Sequence, residues 1–314
     1  MAVKPTASLA ALAAALLTLP AQADENLLGY VSGAETLPQG ASEAYLFVTR
    51  RWDKGQGDYT AYDTEVEYEY GLTHRLTASL ALKGQSIDAS GLVIDGYLPG
   101  AENYGLKPSG IEAKLKYNFL SAAKDLVGLS GTFALKQNWF DPHSGKDKDT
   151  TKADFSLQLQ KLLLDDQLTL VANTGIEATY AKRAPLDAAT QASADAAMQA
   201  LTSDPGASFE WPTEPEMEIE FKFGAGASYR FASNWSIGAE TLYQTEFETE
   251  VGQERWSWFA GPSIHYGGEK WWATLTWLEQ LAGGKEQYIN QADDNLHLIE
   301  KTKHELRFKL GYNF

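Results

Sequence analysis

The sequence predicts an all-β protein, a transmembrane antiparallel up-and-down β-barrel of about twelve strands with long loops at one end and short turns at the other. Three observations predict it. Stretches of roughly 8 to 12 residues alternate between polar and apolar side chains, the period and length of a tilted bilayer-crossing strand. Aromatic residues gather at the ends of these stretches. Beyond the N-terminal leader no apolar run is long enough for a membrane helix, and the mean hydropathy is only −0.33. A barrel needs apolar residues only at alternate positions, so its lipid face is invisible to averaged hydropathy.

The chain opens with Lys4 as its only early charge, an apolar run from Leu9 to Leu19, then Pro20 and Ala21-Gln22-Ala23. A positive start, a short apolar centre and a small-x-small site describe a signal peptide, whereas a spanning helix needs about 20 apolar residues. Residues 1–23 are therefore expected to be removed, 24–42 to form a periplasmic N-terminal segment, and 43–314 to form the barrel. With no Cys in the chain, a lipid-modified Cys and disulfides are both excluded. The formal net charge of −16 becomes one unit more negative when Lys4 leaves, which disfavours nucleic acid as a partner.

In order, the alternating segments are 43–52, 59–70, 76–86, 108–119, 128–138, 151–164, 167–182, 214–230, 235–248, 254–265, 271–281 and 302–314. The clearest is Glu65-Val66-Glu67-Tyr68-Glu69-Tyr70; Leu306-Arg307-Phe308-Lys309-Leu310 is another. Period alone does not separate a barrel from a soluble sandwich. The connections do: links after even-numbered segments are short, such as Asp165-Asp166, while long links fall near 87–107, 139–150, 183–213 and 282–301, the asymmetry of outer loops over periplasmic turns. An even count places both termini on one side. Within 183–213, Pro185-Leu186-Asp187 precedes an Ala-rich run to Leu201 and a break at Pro205-Gly206, which reads as a short helix that caps the pore, plugs it, or stands free as an exposed loop.

Tyr70, Tyr117, Trp235, Trp271, Tyr312 and Phe314 fall at one set of strand ends, and Tyr59, Trp139, Phe140, Trp256 and Trp258 near the other. Amphipathic rings prefer the headgroup zone, so these form two expected girdles. The last segment, Leu306, Phe308, Leu310, Tyr312 and a terminal Phe314, resembles the C-terminal recognition strand of Gram-negative outer-membrane β-barrels. That resemblance implies an outer-membrane location, lipid contact, and the barrel assembly machinery as a partner. The turn Tyr70-Gly71-Leu72-Thr73-His74-Arg75-Leu76 and the opening Gly29-Tyr30-Val31 to Gly40 are similar to those of uncharacterised proteobacterial porin-like barrels, and bring no catalytic residue with them.

With apolar residues facing lipid, Glu65, Glu67, Glu69, Glu177, Glu218, Glu220, Glu240 and Glu246 point into the lumen with Lys114, Lys116, Arg255, Arg307 and Lys309. Basic strands three to five lie across the ring from acidic strands eight to ten, an arrangement that allows opposed walls of unlike sign. The alternative is mutual pairing that closes a narrow barrel. The expected function is a channel for passive diffusion of small polar solutes, cation-preferring through its acids; the alternatives are a non-conducting structural or adhesive barrel and an outer-membrane lipid hydrolase.

Chemistry is sparse. The His-x-Ser-Asn-Gly signature of barrel phospholipases is missing, and Asp141-Pro142-His143-Ser144-Gly145 lacks its spacing. Ser263 and His265 share a strand face, with Glu240 or Glu246 beside them, but such a set is more often polar lining. Asp147, Asp149, Asp293 and Asp294 lack the glycine and terminal glutamate of a calcium loop. No enzyme activity, metal or cofactor is expected.

Overall fold

The computed structural model describes residues 26–92, 103–248, 252–288 and 291–314; the expected leader lies outside them. Twelve antiparallel strands follow in chain order: β1 Ser42–Trp52, β2 Asp58–Thr73, β3 Leu76–Ser90, β4 Asn103–Leu120, β5 Gly128–Phe140, β6 Asp147–Leu163, β7 Leu168–Arg183, β8 Glu216–Ala232, β9 Trp235–Glu248, β10 Gly252–Gly267, β11 Trp271–Lys285 and β12 His304–Asn313. Each pairs with its chain neighbours, and β1 pairs with β12 from Glu43↔Asn313 to Trp52↔His304, closing the barrel. Closure joins the first and last strands, so neither presents a free edge.

The side-chain distribution is the inverse of a soluble protein's. Leu80 is 69% exposed, Leu82 66% and Val66 57%, while Glu67 is 1% exposed. A soluble sandwich would bury the first set and wet the second; here the alternation turns apolar residues out and charged ones in, so the pattern that water would reject is the one that hydrocarbon selects.

Local chemistry sets the turns. Between β6 and β7, Leu164, Asp165 and Asp166 all take left-handed backbone, with φ of 55°, 53° and 62°. Asp tolerates this conformation better than most residues. In the long β7–β8 loop a helix, α1, spans Ala188–Thr202 as the Ala-rich run predicts; Asp187 caps it by accepting from the N–H groups of Ala189 and Thr190, both at 2.9 Å. α1 packs Ala194 and Met198 against Phe209 and Trp211 of the returning limb, so its apolar side is spent within its own loop.

One expected boundary is corrected. The segment ahead of β1, read as periplasmic, lies inside the barrel from Asn26 onward: Leu28 is 1% exposed, Val31 2% and Ala34 0%. The wall makes room for it. A Cβ on Gly224 would stand 3.0 Å from Val31, and one on Gly226 would collide with Leu28. These two glycines are small because the Val31 and Leu28 side chains of the N-terminal segment pack in front of them.

Candidate functional site

The lumen has three levels, each built by a different part of the chain. At the end of the barrel where the short turns lie, the N-terminal segment circles the inner wall. Asn26 accepts from Thr274 on β11 (2.6 Å) and Lys309 on β12 (2.9 Å). The N–H groups of Gly29, Tyr30 and Val31 all donate to the Glu240 carboxylate on β9, at 2.7, 2.8 and 2.9 Å. Ser32 exchanges two bonds with Asn173 on β7, Ala34 donates to Gln160 on β6, and Asn118 on β4 donates to Ala34. Leu37 donates to Thr77 on β3, and Gly40 bonds Gly71 on β2. The order of strands touched, from β12 round to β2, makes this a collar that delivers the chain to the start of β1.

Above the collar is a cavity of ≈490 Å³. Six acids (Asp63, Glu65, Glu67, Glu69, Glu112, Asp154) and six bases (Lys83, Lys114, Lys116, Lys136, Arg307, Lys309) line it, with Tyr45, Phe47 and Phe140 among them. The charges interleave. Lys114 lies 2.6 Å from Glu67, and Lys83 lies against Glu112 and 3.7 Å from Glu65. Glu177 gathers Lys136 and Lys152 at 2.8 Å and Lys222 at 2.9 Å, and Lys222 also reaches Glu220 at 3.2 Å.

The outer level is closed in by loops. Tyr288, Leu296, Leu298 and Ile299 from the β11–β12 loop pack with Tyr59, Ala61, Ile87, Ala89 and Leu92. Lys54 is buried beneath them, its Nζ donating to the carbonyls of Leu298, Ile299 and Lys301 at 3.2, 2.7 and 3.2 Å. Burial, with the Arg51 charge nearby, pushes the Lys54 ammonium down to about 7. His297 is fully buried; burial and the Arg255 charge lower it to about 3, so it is neutral at physiological pH. Arg51 clamps Asp63 at 2.6 and 3.0 Å and also reaches the Pro142 carbonyl of the β5–β6 loop. Arg255 holds Glu246, Glu254 (3.0 Å) and Glu300 (2.8 Å), tying β9 and β10 to the β11–β12 loop.

The expected lumen residues thus separate by level. Glu65, Glu67, Glu69, Lys114, Lys116, Arg307 and Lys309 meet around the cavity; Glu240 is taken by the collar and Glu246 with Arg255 by the outer closure. Glu177 and Glu220 join the lysine cluster, and Glu218 lies 3.7 Å from Lys148. Opposed walls of unlike sign do not form. Long side chains meet counter-charges on the next strand, ~5 Å away, sooner than across the lumen. Of the aromatic residues, Tyr70, Tyr117, Trp139, Trp235, Trp258, Trp271, Tyr312 and Phe314 are exposed on the outer surface and Trp256 is half-buried against Tyr243. Tyr59 is corrected: it is buried in the outer cluster, and Phe140 lines the cavity.

The sparse chemistry does not assemble. His265 shares its Nδ1 contact with Thr274 at 2.8 Å, while both acids considered for it are engaged elsewhere. Among the described residues no cluster of His, Asp and Glu forms a metal-binding group. Sequence reasoning missed the collar and the outer closure; the signal for the first was the set of glycines Gly224, Gly226 and Gly238 on wall strands, against which Leu28 and Val31 pack.

The comparisons agree with this architecture. The model of a family of unknown function, DUF6662, matches residues 20–314. The COG4313 outer membrane channel from Pseudomonas putida F1 is similar in structure, with a TM-score of 0.59 at 13% identity over 90% of this chain and 98% of that one. The beta domain of the Bordetella autotransporter BrkA gives 0.51 at 13% identity over 88% and 100%. No curated protein matches.

Proposed function

The chain belongs to the DUF6662 family, and we propose that its members include this one as an outer-membrane channel for passive diffusion of small polar solutes. The observation that carries the reading is the cavity of ≈490 Å³ with a wall of charged side chains: a barrel built only as a scaffold needs no wet chamber at its centre. The fold shared with an outer membrane channel supports it. Outward apolar rows solvated by lipid, with delivery by the assembly machinery through the Phe314 strand, complete the proposal.

Cation preference is part of it, and it is modest. The chamber itself is lined by equal numbers of acids and bases, so selectivity falls to acids above and beside it, Glu218, Glu220 and Glu246. A second reading, a non-conducting barrel, is favoured by the collar and the docked β11–β12 loop, which narrow the two mouths. Planar-bilayer recording decides between them: discrete conductance with cation-selective reversal potentials is expected, and silence across many insertions removes the channel.

A further inference from the structure

Inside the barrel bases meet acids directly, as Lys114 meets Glu67 at 2.6 Å. Arg50 does not. It belongs to the outward row of β1, between the inward Thr49 and Arg51, and is one outward residue short of Trp52, which ends the strand. The outward residues around it on the paired strands are Thr60, Tyr62 and Thr64 of β2 and His304, Leu306 and Phe308 of β12, and none is acidic. The nearest outward acids in register, Asp88 of β3 and Glu279 of β11, face the Trp52 rung rather than that of Arg50. Each stands two strands away, ~10 Å at the backbone.

Aromatic rings take the place of counter-charges. The Arg50 guanidinium lies 4.8 Å from the Trp52 ring centre, and its Nε is buried with no hydrogen-bond partner among the described residues. The Trp52 ring lies 5.2 Å from that of His304, which lies 6.2 Å from that of Trp277. His304 Nδ1 is also buried without a hydrogen-bond partner. Two orphaned polar atoms therefore fall on adjacent rungs of adjacent strands. A π face positions a cation without cancelling its charge, a buried donor without an acceptor is costly, and an imidazole nitrogen donates in one of its tautomers. The pair suits an anion rich in acceptors. Tyr62 and Trp277 stand exposed on the Arg50 rung, and Leu46, Val66 and Phe308 continue the exposed apolar surface towards the middle of the barrel.

We propose that Arg50 and His304, at the β1–β12 seam, form an outward binding site for the phosphate of a phosphorylated glycolipid, its headgroup among Trp52, Tyr62 and Trp277 and its acyl chains along Leu46, Val66 and Phe308. The inference rests on the outer-membrane reading. A guanidinium offers a planar fork of donors that matches phosphate geometry and is more weakly hydrated than an ammonium. Position selects the lipid. The long-loop end faces outward in barrels of this class, and the leaflet there is built of glycolipid whose phosphates are monoesters, which carry more charge than the diesters of phospholipids. A soluble phosphate has no acyl chain to lay on the apolar rows, so it gains the polar contact alone.

The test is native mass spectrometry of the whole barrel in a non-ionic detergent, titrated with bis-phosphorylated lipid A, its dephosphorylated form, phosphatidylglycerol and inorganic phosphate. A single lipid A per barrel is expected, held at least about tenfold more tightly than the dephosphorylated lipid or phosphatidylglycerol, with no inorganic phosphate retained. Arg50→Gln should weaken lipid A binding about tenfold and Arg50→Lys less, because the charge stays while the fork is lost. Lys182→Gln, which removes an exposed cation on β7 away from the seam, should leave binding unchanged. Heat-modifiable migration on gels shows that each variant is folded; if Arg50→Gln does not fold, Arg50→Lys and the lipid series still decide. Binding that ignores the phosphate, that survives Arg50→Gln, or that falls as far in Lys182→Gln overturns the site. Equal retention of phosphatidylglycerol or of inorganic phosphate overturns the glycolipid as its occupant. Quenching of tryptophan by brominated lipids reads the membrane location separately, so quenching without phosphate-dependent binding overturns the site alone.

Discussion

Replacing Glu240 by alanine should free the collar. Its carboxylate accepts three consecutive backbone N–H groups at 2.7, 2.8 and 2.9 Å, in surroundings where the residue itself is 3% exposed. Charge-assisted hydrogen bonds contribute ~1.5–3 kcal/mol each, and three that share one acceptor are not additive, so the loss is about 4 kcal/mol. At 1.4 kcal/mol per decade that raises the undocked population about a thousandfold. Because the chain contains no Cys, a single Val31→Cys change, at a position 2% exposed, gives a unique reporter. Labelling by a hydrophilic maleimide should be slow with Glu240 present and faster by two to three decades, as an order of magnitude, in the Glu240→Ala background. The barrel wall does not depend on this contact, so heat-modifiable migration should persist. An unchanged labelling rate would show that the collar is held by something other than this carboxylate.

Other consequences follow from the same geometry. Replacing Glu218, Glu220 and Glu246 together by Gln should weaken cation preference in reversal-potential measurements; unchanged selectivity would take these acids off the path. His297 is lowered to about 3 in the folded loop against an ordinary 6.5, so the unfolded loop binds the extra proton. The stabilising effect is complete above pH ~6.5 and is lost as pH falls towards 3, about 2 kcal/mol of it by pH 5. Hydrogen exchange of the β11–β12 loop should therefore accelerate between pH 6.5 and 4, and His297→Gln should flatten that profile. Deleting residues 187–203 should leave conductance unaltered, because α1 packs on its own loop; a changed conductance would place it over the pore. Leu80→Arg, at a site 69% exposed, should destabilise the barrel in vesicles by ~2–4 kcal/mol if that residue meets the bilayer mid-plane.

The wall was legible because it is periodic. Val66, Tyr68 and Tyr70 alternate with Glu65, Glu67 and Glu69, and a one-residue slip would turn three carboxylates into hydrocarbon, so sequence alone specifies the facing. β9 spans Trp235–Glu248, the range the alternation predicts, while β3 and β4 run further at the outer end, where ladder pairing continues beyond the apolar pattern. The contents of the lumen were not legible. Gly29 to Ala34 has no period because its partners, Glu240, Asn173 and Gln160, are side chains scattered over three strands. The buried loop residues Leu296, Leu298 and Ile299 sit in a polar stretch that reads as an outer loop until Tyr59 is seen turned towards them. Inward charge was readable by position but its pairing was not, since which lysine meets Glu177 depends on strand tilt and side-chain reach.

Everything rests on lipid being the solvent of the outer surface, where Trp235, Trp258, Trp271 and Trp277 are each more than two-fifths exposed. Quenching of tryptophan fluorescence by brominated lipids in reconstituted vesicles reads that contact directly. The account predicts strong quenching from bromines near the interface, with the inward Trp272 contributing a residual unquenched signal. Emission indifferent to bromine at every depth would contradict it.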